Sequence, residues 1–377
     1  MKIVIIGTAY PYRGGIATFN ERLARQFQAE GHEVSIQTFT LQYPSFLFPG
    51  KTQYSDSPAP TDLQITRTVN SCNPFNWLRV GRRVSRINPD IVIMKFWLPY
   101  MAPCLGTVAR VIKRKSHAQI VSILDNVIPH EPHFWDKWMI SYFVKSVDRF
   151  VAMSESVAAD LRLFTKDKPC SLVRHPLYDN FGTLLTKSEA AARLGVEPDK
   201  TYLLFFGLIR DYKGLDLLMR AYADSRIDKE KVRLVVAGEF YGNEDKYNAL
   251  LRDLGLQDHV IWHTRYIPDE EVATYFSLAD LVVQPYKSAT QSGVTQIAYH
   301  FAKPMLVTRV GGLPEIVPDG KVGYVTDVSV EAIATALADF AANPAPERFA
   351  QGIAEEKARY GWDKMTYAIT NNTNTTI

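Results

Sequence analysis

Short apolar runs recur along the chain, separated by longer stretches in which apolar residues return every third or fourth position. The runs predict buried strands at Ile3 to Ile6, Val34 to Phe39, Ile91 to Met94, Ile120 to Leu124, Phe150 to Met153 and Ser171 to Val173. A second set follows at Tyr202 to Phe206, Arg233 to Ala237, Val260 to Trp262, Leu281 to Gln284, Met305 to Thr308 and Tyr324 to Val325. Strands that alternate with helical patterns belong to parallel sheets flanked by helices, so the fold class is α/β with two Rossmann-like halves. The segment R-H-P-L-Y-D-N-F-G-T, Arg174 to Thr183, carries proline, glycine and polar residues and reads as the linker between them. The expected domains are 1–180 and 181–355. Two such sheets are expected to face a central cleft at the carboxyl ends of their strands.

Composition narrows the chemistry. With 377 residues and 46% apolar content the chain can fill two cores, and a formal charge of only +3 gives no broad footprint for nucleic acid. Cys72, Cys104 and Cys170 are widely spaced and predict neither a disulfide framework nor a zinc site. The apolar start M-K-I-V-I-I-G-T lacks a signal-peptide pattern, and the stretch Ile91 to Ala109 is broken by Lys95, Pro99 and Pro103. A cytoplasmic protein is expected, soluble or peripheral on the inner face of a membrane.

The densest chemical signal is F-F-G-L-I-R-D-Y-K-G-L-D-L-L, Phe205 to Leu218. A buried strand runs into Gly207, and a helical face starts after Gly214, so Arg210 and Lys213 fall in the turn between them. Helix starts offer unpaired N–H groups and a positive dipole end, and two added cations suit a phosphate ester there. A solvated loop with two surface charges is the alternative. The first strand likewise ends at Gly7 and leads to Gly14 and Gly15 at the start of a helical stripe, Ile16, Phe19, Leu23 and Phe27. Those glycines suit either close approach to a ligand or a plain tight turn. Neither the G-x-G-x-x-G fingerprint nor a Walker A sequence is present, which disfavours nicotinamide and flavin enzymes. Asp-x-Asp, the common holder of a nucleotide-bound divalent ion, is also missing, so no metal is expected.

The order of G-G-I-A-T-F, F-F-G-L-I-R-D-Y-K-G-L-D-L-L, L-V-V-A-G-E, Y-I-P-D-E-E-V-A-T-Y-F-S-L-A-D-L-V-V-Q-P-Y and A-K-P-M-L-V-T-R-V-G-G-L-P-E-I-V-P-D-G-K-V-G-Y resembles the retaining GT-B glycosyltransferases. Their family, glycosyl transferases group 1, includes phosphatidylinositol mannosyltransferases and sucrose-phosphate synthases. The resemblance covers the second half almost completely and the first half more weakly. It implies an acceptor-binding first domain, a nucleotide-sugar-binding second domain, and a terminal helix within 356–377 returning to the first. It further implies a metal-independent hexosyltransferase that takes a UDP- or GDP-linked sugar to a glycan or lipid-linked hydroxyl, with no cofactor. Arg210 and Lys213 would hold the donor diphosphate, with Gly15 beside it, and Ser292, Gly293 and Val294 would present backbone groups to the donor. Gly14, Gly207, Glu239, Thr290, Gln291 and Thr295 complete the implied donor set. His130, in D-N-V-I-P-H-E-P-H-F-W, is the candidate for the family's donor-sugar histidine, although that residue usually lies nearer the strand end, where this chain has Asp125 and Asn126.

One departure stands out. The family's paired glutamates, separated by seven residues, would fall at Ala289 and Ile297 or, with a one-residue shift, at Thr290 and Ala298, and no acidic residue occurs between Asp280 and Glu315. Thr290, Gln291, Thr295 or Gln296 must then supply the hydrogen bonds. A nucleotide-sugar 2-epimerase and a non-catalytic nucleotide-sugar-binding protein are the competing readings. His130, Glu131 and His133 lack a third ligand and do not predict zinc, while His175 and His300 read as packing residues. Finally, Arg79, Arg82, Arg83 and Arg86 share one helical face opposite Trp77, Val80, Val84 and Ile87, and Lys113, Arg114 and Lys115 form a second basic cluster. Such a face is either simply solvated or meets an anionic membrane.

Overall fold

Every apolar run identified in the sequence becomes a strand in the computed structural model, which describes residues 1–44, 52–55, 58–129, 133–242, 244–289 and 292–371. The strands are β1 (Lys2–Ile6), β2 (Glu33–Leu41), β3 (Ile65–Asn70), β4 (Ile91–Phe96), β5 (Gln119–Leu124), β6 (Arg149–Ala152) and β7 (Cys170–Leu172) in the first half. In the second they are β8 (Thr201–Phe206), β9 (Val232–Ala237), β10 (Val260–His263), β11 (Leu281–Gln284), β12 (Met305–Thr308) and β13 (Gly323–Thr326). The helices of the first half are α1 (Gly15–Ala29), α2 (Pro74–Ile87), α3 (Ala102–Lys115), α4 (Asp136–Ser146) and α5 (Glu155–Arg162). Then come α6 (Lys187–Leu194), α7 (Leu215–Tyr222), α8 (Glu244–Asp253), α9 (Asp269–Leu278), α10 (Gly293–His300), α11 (Leu313–Ile316), α12 (Val330–Ala342), α13 (Ala350–Lys357) and α14 (Trp362–Thr370).

The chain forms two compact units, one of Met1–His175 together with the segment from Gly361, the other of Pro176–Tyr360. Residues 176 to 180, placed in the first domain by the sequence, pack in the second unit. Tyr178 and Phe181 are buried there with ring centroids 5.8 Å apart, and the Leu177 amide donates to the Tyr360 carbonyl. The return to the first unit begins at Gly361, not within α13. Trp362 of α14 lies against Phe19, and Arg149 donates to the carbonyls of Ala368 and Asn371.

Unit 1 is a seven-stranded parallel sheet in the order β3-β2-β1-β4-β5-β6-β7, and unit 2 a six-stranded parallel sheet in the order β10-β9-β8-β11-β12-β13. The central strands are buried throughout, as β4 shows along its whole length, because helices cover both faces of a parallel sheet. β3 is the strand that the apolar pattern missed. Its sequence I-T-R-T-V-N is half-exposed at the sheet edge, where polar side chains are tolerated, and its register with β2 shifts twice. Strand order reverses between β1 and β4 in unit 1 and between β8 and β11 in unit 2. At such a switch point adjacent loops diverge and leave a crevice at the carboxyl edge of the sheet.

Candidate active site

The crevice of unit 2 holds part of the set that the sequence singled out, the turn with Gly207, Arg210 and Lys213 and the start of the helix at Ser292 to Val294. β8 ends at Gly207, and a 3-10 turn over Asp211–Lys213 leads through Gly214 into α7. From the neighbouring strand β11, Pro285 and Tyr286 lead toward Ser292 at the N-cap of α10. These segments converge. A Cβ placed on Gly207 would lie 3.2 Å from the Lys213 Nζ and 3.7 Å from a methyl of Val294, and Gly207 has φ +98°. Only glycine suits that conformation while letting the ammonium come so close. Gly214 is fixed by the same segments, since at φ +69° its Cβ would stand 2.0 Å from the Pro285 carbonyl oxygen.

Lys213 is buried, with its Nζ 5.6 Å from the centre of the Tyr286 ring. Burial, with a smaller contribution from Arg210, brings its pKa down to about 8. Among the described residues no carboxylate pairs with it. The nearby acid Asp211 instead accepts from Lys246 at 2.6 Å and Lys287 at 3.2 Å, and Lys287 also reaches Asp216 at 3.0 Å. The acids of this loop are thus engaged by other lysines. Arg210 is exposed, 5.2 Å from the Tyr241 ring centre. The backbone that carries it is tied to the next loop, because the Ile209 amide donates to the Glu239 carbonyl at 2.8 Å and the Tyr241 amide to the Ile209 carbonyl at 2.8 Å. Glu239 is buried beside this turn.

At the start of α10 the Ser292 hydroxyl accepts from the Val294 amide at 3.2 Å and lies 3.3 Å from the Tyr286 hydroxyl. Thr295 is fully buried and donates to the Ser292 carbonyl at 2.5 Å, so its hydroxyl serves the helix cap. Gln296 is also fully buried, and its amide has no hydrogen-bond partner among the described residues. Ile297, at the second glutamate position, lies in the core. Gly293 does not have a positive φ. What constrains it is the Tyr178 ring, whose Cε2 would sit 2.8 Å from an added Cβ. Thr290, Gln291 and His130 lie outside the described residues.

In unit 1, Gly14 is the N-cap of α1 and Gly15 its first residue. At the carboxyl ends of β4 and β5, Lys95 and Asp125 form a buried pair with Nζ to Oδ1 2.9 Å, and the Nζ is 3.3 Å from the centre of the Phe19 ring. Burial pushes the Asp125 carboxyl up and the Lys95 ammonium down. The sequence reading missed this pair, as well as Tyr178, Tyr241 and Tyr286. Lys95 inside an apolar strand and Q-P-Y at the carboxyl end of β11 were the available signals. His175 packs on Phe19 in unit 1, and the His300 ring bonds the Gly182 carbonyl in unit 2. Among the described residues no group of three His, Cys, Asp or Glu side chains could hold a metal ion. The three cysteines are free.

Residues 186–357 match the family described as Glycosyl transferases group 1, and residues 13–175 match Glycosyltransferase Family 4. The second half of the chain belongs to the group 1 glycosyltransferases and the first to Glycosyltransferase Family 4. A D-inositol 3-phosphate glycosyltransferase of Streptomyces scabiei is 31% identical over 60% of this chain and 53% of its own length. The chain thus spans about half the length of the inositol-phosphate relatives it matches. A GDP-mannose-dependent alpha-(1-6)-phosphatidylinositol monomannoside mannosyltransferase of Mycolicibacterium smegmatis is 25% identical over 89% of this chain and 87% of its own. Among solved structures, sucrose-phosphate synthase of Thermosynechococcus elongatus is similar with TM-score 0.75, 16% identity and 98% of both chains covered. Anabaena HepE in complex with UDP and glucose gives TM-score 0.74 at 14% identity, again with 98% of both chains covered. The fold is therefore GT-B, built from two Rossmann-like units. Neither family match supports the epimerase alternative.

Proposed function

We propose that this family member transfers a hexose from a UDP- or GDP-linked donor to a hydroxyl of a glycan or lipid-linked acceptor, with retention and without a metal ion. The observation that carries this reading is the buried Lys213 ammonium, which lacks a carboxylate partner among the described residues, beside Gly207 and the uncapped start of α7. An ammonium held out of water needs an anion, and a diphosphate supplies one. In the reaction the bond from the sugar C1 to the diphosphate oxygen breaks, and a bond from the acceptor oxygen to C1 forms on the same face. The acceptor proton passes to the departing diphosphate. Lys213 and Arg210 offset the negative charge that grows there, which is the chief contribution this chain can make to the rate. Ser292, Gly293 and Val294 would meet the donor through backbone groups, and peripheral membrane contact would bring a lipid-linked acceptor within reach. The relatives named for inositol phosphate and phosphatidylinositol mannoside acceptors favour a phosphorylated polyol or its lipid, and GDP-mannose is the first donor to test.

Transfer from GDP-mannose and UDP-glucose, assayed in EDTA, tests the reading directly. Lys213→Ala and Arg210→Ala are each expected to lose roughly 10² to 10³ in turnover, as for removal of a single charge-stabilising donor. Near-native rates in both variants would return the turn to an ordinary loop. Abolition of wild-type activity by EDTA with rescue by magnesium or manganese would refute metal independence.

A further inference from the structure

Lys287, in the loop that follows β11, is outside the donor set that the sequence suggested, yet its side chain meets both acids of the turn from β8 to α7. Its ammonium lies 3.0 Å from each carboxylate oxygen of Asp216, in the first turn of α7, and 3.2 Å from the Oδ2 of Asp211, between Arg210 and Lys213. The Asp216 side chain is 18% exposed and that of Lys287 30%, so this pair is less screened by water than Asp211, at 64%. Burial works against the Lys287 charge, but the bonds to Asp216 and Asp211 outweigh it and raise its pKa above the ordinary value. Both partners of this cation therefore lie on the segment that carries Lys213.

The backbone makes the same connection. The Lys287 amide donates to the Tyr212 carbonyl at 2.6 Å, and the Tyr212 and Tyr286 rings meet edge to face with centroids 6.1 Å apart. The Pro285 carbonyl oxygen lies where Gly214 leaves room for it, 2.0 Å from the position of a Cβ. Pro285, Tyr286 and Lys287 thus hold the turn across the boundary between β11 and β8, strands that are neighbours in the sheet but far apart in the chain. The Tyr286 ring, 5.6 Å from the Lys213 ammonium, belongs to the same three residues. What ties Lys287 down therefore fixes both the turn that presents Lys213 and the ring beside it. In K287M the amide bond and the ring contact would remain, and only the ionic link to Asp216 and Asp211 would be lost.

We infer that Lys287 is a positioning residue for the transfer: through Asp216 and Asp211 it latches the Asp211–Lys213 turn to the loop after β11, and so keeps the Lys213 ammonium where the donor diphosphate is bound. It acts through the turn and not on the donor, because two carboxylates already occupy its ammonium. Lys246 also donates to Asp211, at 2.6 Å, but it comes from α8 and does not join the turn to the loop of Tyr286. The inference rests on the transferase reading, in which Lys213 holds the donor diphosphate.

Turnover with GDP-mannose and UDP-glucose, and the pH dependence of GDP and UDP affinity, test it in K287M, K287R, D216N and K287M/D216N. K287M is expected to lose roughly 10- to 100-fold in turnover, as small misplacements of a stabilising group do, with a smaller change in donor KM. Burial and Arg210 hold the Lys213 pKa at about 8, so loosening the turn should admit water and move the alkaline fall in nucleotide affinity upward from about 8. A side chain that served stability alone would leave that pH unchanged. K287R should restore both readouts, and K287M/D216N should lose no more than K287M, because the two residues act as one link. D216N breaks the same link from α7 and stands in for K287M if that variant melts too low to assay. Wild-type turnover in K287M and D216N, an alkaline fall that stays near about 8 in both, or K287R as slow as K287M with an unchanged melting curve would each overturn the inference. K213A separates the two readings: near-native turnover in K213A defeats the transferase reading of the turn, whereas a slow K213A beside a K287M that behaves as wild type defeats only the latch.

Discussion

A lysine whose pKa has come down to about 8 is charged at neutral pH only at an energetic disadvantage. The sign follows from the protons bound. Between about 8 and the ordinary 10.5 the unfolded chain keeps the Lys213 proton that the empty fold has given up, so stability rises with pH across that window. Below about 8 the fold carries the full penalty of a buried ammonium. A bound diphosphate reverses this, because it favours the charged form. Affinity for a nucleoside diphosphate should therefore be flat below about 8 and fall by as much as roughly tenfold per pH unit above it. Calorimetric titration of GDP or UDP from about pH 7 to about pH 9.5 measures this, with Lys213→Met expected to flatten the upper limb. A wild-type affinity that does not decline would mean that Lys213 does not touch the phosphates.

At the scale of elements, the turn from β8 to α7 was legible because its parts are local. An apolar run, a glycine, two cations and a helical stripe lie within Phe205 to Leu218, and each falls where the order of those residues puts it. What escaped the sequence comes from across the sheet. Tyr286 reaches the site from β11, and Tyr178 from the segment before α6, because the strand order brings distant parts of the chain together. β3 escaped for the opposite reason, since an edge strand carries too weak an apolar signal to be seen. Gly293 shows the distinction in one residue. The family resemblance implies that Gly293 presents its backbone to a donor, whereas the restriction seen at this position is the Tyr178 ring, 2.8 Å from a would-be Cβ. Gly293→Val should thus act by overpacking the start of α10, lowering stability by about 1–3 kcal/mol and weakening nucleotide binding. A thermal melt and a nucleotide titration read the two effects, and normal binding would remove Ser292 to Val294 from the donor site.

At the scale of the whole molecule, each unit has its own sheet and core, yet unit 1 is completed by residues that follow unit 2 in the chain. α14 contributes Trp362, Met365 and Ile369, all buried, with Trp362 5.1 Å from Phe19 between ring centroids and Arg22 5.1 Å over the indole. Thr366 donates to Glu30 at 2.7 Å, and Arg149 depends on the Ala368 and Asn371 carbonyls for its hydrogen bonds. None of these contacts belongs to the unit that holds Lys213. Trp362→Ala should therefore destabilise unit 1 by about 3–5 kcal/mol, as expected for loss of a buried tryptophan, while leaving the nucleotide site folded. Calorimetry of the full chain should show one transition moved to lower temperature and a second that still rises when GDP or UDP is added. A single transition that shifts as a whole would show that the two cores unfold together and that α14 stabilises the entire chain through unit 1.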